Sequence, residues 1–223
     1  SNDNTLNILK RFKTNPQIEV LNNSKRMGVS YTRNFLISKA KGKFITFLDS
    51  DDLMCPDRLE LQIGFLNQNP DIDILGSNYQ EFNEKRLGKI SKVKLTSPCI
   101  VKAFSYMSPV PNPTLMMRSS VAKSIKFDEQ LTSAEDFDFL LKAHQHGFKF
   151  ANLNYVTTYY RIHKQSLSSS KKFEMQLNTF LAMERYQQNI KSKNNTHIII
   201  NNLRKRFSNS SYIKFSSPRE LTF

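Results

Sequence analysis

The stretch "KGKFITFLDSDDLMCPDRLELQ", residues 41–62, decides how this chain folds. A mostly apolar run from Phe44 to Leu48 passes straight into a turn carrying Asp49, Asp51 and Asp52, then into Pro56 and a helical pattern. A strand, a turn and a helix make half of a crossover unit, and ligands of open α/β sheets bind just past the C-terminal ends of strands. Two readings of the acids stand side by side. Asp52 caps the helix that opens near Pro56, a common use of Asp in such loops. Alternatively, carboxylates this close together converge on Mg2+ or Mn2+, hard cations that share oxygen ligands with a substrate phosphate.

Outward from this stretch, short strands alternate with helices. "TLNILKRF" (5–12) has helical spacing, "IEVL" (18–21) reads as a strand, and "SYTRNFLISKA" (30–40) reads as a helix following Gly28. Pro56 suits the start of a helix reaching about Asn69, with Leu59, Ile63 and Leu66 on its inner face. "DIDILGS" (71–77) is a further strand, and 78–95 has the look of a hairpin or exposed excursion. "SPVPNPTLMM" (108–117) is a loop entering a short strand. A helix over 133–147 stops at Gly147, and "YVTTYYRI" (155–162) returns as a strand. The pattern implies an α/β fold with a mainly parallel sheet covered on both faces. Beyond Ser166 the polar run "SLSSSKK" marks a boundary. It separates a domain over 1–168 from a basic, mainly helical extension over 169–223 with helices at 171–189 and 196–207.

The composition supports a real core: 17 Phe and 8 Tyr among 223 residues exclude wholesale disorder. No apolar run approaches the ~18 residues of a spanning helix, and the spacing of Cys55 and Cys99 matches neither a metal nor a redox motif. A cytoplasmic location is the expectation. The net charge of +14 is uneven, since residues 168–223 hold ten Lys/Arg against three acids. That basic segment, "THIIINNLRKRF" above all, suits a peripheral contact with an anionic membrane or a solvated face. Nucleic acid is not expected as a partner, because no recognised binding motif accompanies the charge.

Three further places hold candidate chemistry. In "SAEDFD", Ser133 and Asp136 match a capping box; alternatively Asp136, beside Glu135, is a general base whose burial offsets the helix dipole. In "YYRIHKQS", Arg161 and His163 lie on one side of a strand, where guanidinium and imidazole could address a diphosphate and its metal. Arg33 and Asn34, early in a helix after Gly28, could meet a nucleotide. His144 and His146 read as structural.

Taken in order, these pieces resemble the family 2 glycosyltransferases of GT-A fold, which move a sugar from a nucleotide diphosphate donor with inversion. Residues 22–62 resemble that family's N-x-x-x-G-x-x-x-x-R-N…A-x-G-x-(apolar strand)-D-x-D-D…P-x-x-L block. Residues 112–147 resemble its acceptor-side segment ending in Glu-Asp, and "YYRIHKQSLS" resembles the Tyr-Arg-x-His…Ser that follows. The resemblance implies metal ligands at Asp51, Asp52 and His163, with Mn2+ or Mg2+ as cofactor. Nucleotide-sugar contacts would come from Arg33, Asp49, Asp51 and Arg161. Asp136 would be the base and Glu135 its neighbour. The implied partners are a nucleotide-sugar donor, most naturally a UDP-sugar, and a saccharide or lipid-linked acceptor in bacterial surface-polysaccharide synthesis. The family's first two strands, with the acid that reads the base, have no counterpart before "SNDNTLNILKRF". Weak nucleotide binding by this chain alone follows as an expectation, and a catalytically inactive truncated remnant acting as a binding module stands as the alternative to the enzyme.

Overall fold

The computed structural model describes residues 4–105, 107–163 and 172–190. The helix expected over 196–207 and most of the basic C-terminal segment lie outside the described residues. Six strands form one sheet in the order β1-β5-β3-β6-β2, with β4 paired to β3 beyond β5. These are β1 (Phe44–Thr46), β2 (Leu53–Met54), β3 (Ile74–Phe82), β4 (Leu87–Ile90), β5 (Met116–Arg118) and β6 (Phe150–Arg161).

The sheet is mixed, a correction to the mainly parallel sheet expected from the alternation. Among the described residues only β3 and β6 pair in parallel; β1 with β5, β5 with β3, β3 with β4, and β6 with β2 are antiparallel. The alternation does orient β1, β3 and β6 the same way, but β5 returns from the Pro-rich loop and inserts between β1 and β3. "IEVL" is not a strand; residues 18–21 run as irregular backbone. A short apolar run becomes a strand only when an edge is available to receive it.

Helices cover both faces. They are α1 (Thr5–Lys10), α2 (Val29–Lys39), α3 (Arg58–Gln68), α4 (Ser97–Ala103), α5 (Ser119–Ser124), α6 (Glu135–Gln145) and α7 (Lys172–Ile190). Alternation along the strands splits the core. Ile74 and Met117 join the larger cluster with Phe104, Phe127, Phe139 and Phe150. Leu75 and Met116 point the other way, onto Leu66 of α3. Ala182 and Met183 of α7 pack into the larger cluster, against the α6 side.

α3 differs from expectation on its inner face. Arg58, Gln62 and Leu66 are buried, whereas Leu59 is exposed. Arg58 is wholly buried and donates from Nε to Gln62 Oε1 (3.0 Å), from Nη1 to Thr158 Oγ1 (3.0 Å) and from Nη2 to Thr46 Oγ1 (2.6 Å). Gln62 in turn donates to the Thr114 carbonyl at 2.7 Å. One side chain therefore ties α3 to β1, to the loop before β5 and to β6. Burial lowers its pKa to about 10, so it remains a cation at neutral pH.

Candidate active site

Two chain segments, the turn after β1 and the end of β6, build one flank of the site. β1 delivers the Asp49–Asp52 turn, closed by a 3.1 Å bond from the Asp52 amide to the Asp49 carbonyl. β6 brings Arg161 alongside. Its backbone N–H donates to Asp52 Oδ1 at 2.8 Å, and its Nε donates to the Asp51 carbonyl at 2.7 Å. His163 Nε2 lies 3.1 Å from Asp51 Oδ2. The Arg161 guanidinium stacks on the Phe82 ring, 4.4 Å from its centre.

Asp52 does not cap α3, which settles one of the two readings of this turn. The residue before α3 is Asp57, and it makes no side-chain cap either. Asp52 is buried instead, and its Oδ2 has no hydrogen-bond partner among the described residues. Burial raises its pKa to about 6 against the Arg161 amide, and the charges of Asp51 and Asp49 push the same way. A buried orphan carboxylate oxygen beside a carboxylate–imidazole pair is a donor set suited to a divalent cation. Asp51 and His163 are already together. Asp52 faces Arg161, however, and no three such side chains among the described residues form a ready-made cage.

On the other flank, α2 begins after Gly28, whose φ of 87° favours glycine, and it carries Arg33 inward. The Arg33 guanidinium is buried with the Phe47 and Phe127 rings each 5.4 Å from it. It pairs with Glu135 Oε1 at 2.7 Å and lies 3.7 Å from Asp49 Oδ1. Arg33 thus organises acids from beneath the site. Asn34, the other residue considered for a nucleotide contact, instead bonds the Phe127 backbone in both directions and Glu129.

The capping box expected in "SAEDFD" is not formed. Ser133 accepts a hydrogen bond from Asn178 of α7, and Ala134 starts α6 in the left-handed region at φ 59°. Asp136 accepts from the neighbouring Phe137 amide at 2.8 Å. Burial raises the Asp136 pKa, with Arg33 opposing and Asp49 adding to the rise. Glu135 is raised by burial first and by Asp136 second. Asp49 acts on both Asp52 and Asp136, so the two flanks share one electrostatic field.

Sequence reasoning missed Arg58, Gln62, Phe82 and the Phe47–Phe127 sandwich. The signal for Arg58 was present in the "PDRLELQ" spacing, where Arg58, Gln62 and Leu66 recur four apart. A polar inner face is overlooked when only apolar residues are counted. His144 is structural as expected, stacked on Phe104 at 5.6 Å.

Comparison with known proteins gives this geometry a family. Residues 1–124 match the model of glycosyl transferase family 2, and the chain belongs to that family. It is 31% identical over 172 residues to Escherichia coli WfaP, a UDP-Glc:alpha-D-GlcNAc-diphosphoundecaprenol beta-1,3-glucosyltransferase, covering 77% of this chain and 66% of WfaP. Among solved structures it is similar to Staphylococcus aureus TarS 1–349 in complex with UDP-GlcNAc, with TM-score 0.70, 23% identity, and coverage of 94% of this chain and 62% of that one. It is also similar to the mannosyltransferase PcManGT of Pyrobaculum calidifontis in complex with GDP-Man and Mn2+, at TM-score 0.54 and 12% identity, covering 93% of this chain and 69% of that one. The fold is that of the GT-A glycosyltransferases. The chain spans 56–66% of the length of three curated relatives that it matches.

Proposed function

We propose that this chain carries the donor and acceptor machinery of an inverting glycosyltransferase. The donor is a nucleotide diphosphate sugar, with UDP as the nucleotide. The acceptor is a hydroxyl of a saccharide or lipid-linked saccharide, in bacterial cell-surface polysaccharide or lipooligosaccharide synthesis. The observation that carries this reading is the division of the acids into two flanks joined through Asp49 and Arg33. One flank offers paired donors and a guanidinium for a diphosphate. The other offers a carboxylate of raised pKa at a helix start, suited to accept a proton.

In this mechanism Asp136 takes the proton from the acceptor hydroxyl. The hydroxyl oxygen bonds to the anomeric carbon as the bond to the diphosphate breaks, and the electron pair leaves with the diphosphate. Attack from the side opposite the leaving group inverts the centre. Arg161, whose terminal nitrogens make no hydrogen bond among the described residues, stands ready for a phosphate oxygen. Asp51, Asp52 and His163 would hold a divalent cation, Mn2+ or Mg2+, which supplies positive charge to the departing diphosphate. Arg33 keeps Glu135 and Asp49 in place, and its charge holds down the cost of three carboxylates in one cleft.

A second reading, a binding module without turnover, draws on one observation. β1 is an edge strand of the described sheet, so the Asp49–Asp52 turn has a sheet neighbour on one side only. Transfer from UDP-sugars in the presence of Mn2+, with the product anomer assigned by NMR, separates the two. Turnover with inversion, lost in Asp52→Ala, supports the enzyme. Equal product with wild type and variant, or a retained anomer, contradicts it.

A further inference from the structure

We propose that the β3–β4 hairpin and the strip following it, residues 82–94, dock on an anionic lipid membrane and hold the candidate site at its surface. Residues 85–94 contain Lys85, Arg86, Lys89, Lys92 and Lys94 without an acid, and no other ten-residue window of the chain holds as many cations. None of the five makes an ion pair among the described residues. Every residue of β4 is exposed; Leu87 is 60% and Ile90 52% accessible. The register sets Leu87 opposite Phe82 and Ile90 opposite Gln80, and the irregularity between them brings both to the face that carries Phe82.

The alternative explanation for the lysines is that they blunt an edge strand, since β4 pairs with β3 alone. Edge protection asks for charge, however, and gives no reason to hold two large aliphatic side chains in water beside it. Cations around exposed Leu and Ile are the composition of an interfacial segment, with apolar groups entering the headgroup boundary and cations meeting anionic lipid. A nucleic-acid surface would add open aromatic rings for stacking, and the one ring of this segment, Phe82, is half-buried and covered by the Arg161 guanidinium.

The hairpin is physically continuous with the site. The Ile162 N–H donates to the Phe82 carbonyl at 2.8 Å, and Arg161 lies over the Phe82 ring. A cavity of about 420 Å³ opens between them, lined in part by Phe82, Arg86, Leu87, Lys89 and Ile162. Arg86 and Lys89 outnumber the one acid of its wall, Glu81, and Phe82, Leu87 and Ile162 supply the apolar part, a lining suited to a phosphate-bearing headgroup. Docking there would bring Arg161 and His163 to the surface where a lipid-linked acceptor arrives. That last consequence rests on the glycosyltransferase reading; the docking itself does not.

The test is cosedimentation of the full chain, without nucleotide, with phosphatidylglycerol/phosphatidylcholine vesicles and with phosphatidylcholine vesicles alone. Wild type should bind the anionic vesicles, release in salt, and ignore the neutral ones. Leu87→Asp/Ile90→Asp and Lys85→Ala/Arg86→Ala/Lys89→Ala should each bind about tenfold more weakly or worse. Lys10→Ala/Arg11→Ala/Lys13→Ala, which removes the same charge elsewhere, should stay within about twofold of wild type. Circular dichroism checks that every variant is folded. Undiminished binding by the hairpin variants would overturn the proposal and leave the lysines as edge protection. Loss only on Arg204→Ala/Lys205→Ala/Arg206→Ala would overturn it too, as would hairpin-dependent binding to an oligonucleotide but not to vesicles. Transfer to a water-soluble acceptor, measured in parallel, should be equal in wild type and hairpin variants. A chain that binds vesicles through the hairpin but transfers no sugar would refute the enzyme reading alone.

Discussion

A carboxylate in the first turn of a helix normally ionises more readily, because the unpaired N–H groups there favour an anion. Asp136 is pushed the opposite way: burial raises its pKa, and Arg33 and the Phe137 amide only partly restrain the rise. Two predictions follow from that sign. Transfer requires ionised Asp136, so the rate should fall on the acid side through a pKa above the ordinary carboxylate range. A kcat–pH profile whose acid limb lies near pH 4, the value of an unperturbed Asp, would contradict the assignment. Stability moves in the other direction. A folded pKa above the unfolded one means that the native state holds the proton more tightly. Its contribution is full below the unfolded pKa and is lost as pH rises through the folded value. At neutral pH the ionised side chain therefore costs stability, and Asp136→Asn should match or exceed wild type in Tm while transfer is lost. A clear fall in Tm, read by calorimetry at pH 7.5, would argue that Asp136 is a structural residue.

At the scale of elements, Arg58 does more than any apolar residue of α3 to place the site. It joins β1, which leads into the Asp49–Asp52 turn, to β6, which ends in Arg161. Arg58→Met would keep the bulk and strand the Gln62, Thr46 and Thr158 oxygens without their donor. Urea unfolding should show a loss of about 3 kcal/mol or more, the scale of a broken buried polar network. A change below about 1 kcal/mol would show the network to be replaceable. Gly76 tests the parallel pair in the same way, because a Cβ there would collide with Asn152 of β6 and meet Val110 at 2.7 Å. Gly76→Ala should destabilise by about 1–3 kcal/mol, as overpacking does. The helices of residues 29–39, 58–68 and 135–145 were legible from periodicity and turn residues, as was β1, whereas the strands expected over 71–77 and 155–162 cover only part of 74–82 and 150–161. The short helices α4 and α5 and the two-residue β2 were not read, and three further things were hidden. The place of β5 between β1 and β3 depends on long-range pairing that no local pattern encodes. "IEVL" has a strand's composition but no strand in the described sheet to receive it. The polar underside of α3 pairs with partners distant in sequence, so no local apolar count reveals it. At the site, the residues of both flanks were named from the sequence. What the fold added was Arg33's burial between two rings and Asp136's freedom from the capping box.

The whole molecule combines a mixed sheet, two acidic flanks at the end of β1 and the start of α6, and a basic hairpin after β3. Apolar side chains remain exposed in and after α1 (Leu6, Ile8 and Phe12), on α2 (Leu36) and after β1 (Leu48). The basic hairpin follows the Phe82 end of β3, beside Arg161. The central claim is that one cleft binds a donor through the Asp51–Asp52–His163 flank and activates an acceptor through Asp136. The claim separates binding from chemistry, and a single comparison reads both. Donor affinity should be measured by calorimetry with Mn2+, and single-turnover transfer by quench flow, on wild type and Asp136→Asn. In Asp136→Asn, affinity should be unchanged within about threefold and the transfer rate at least about a hundredfold lower, the usual loss when a general base is removed. Equal transfer rates in the two proteins, or a donor affinity that collapses with Asp136→Asn, would contradict it.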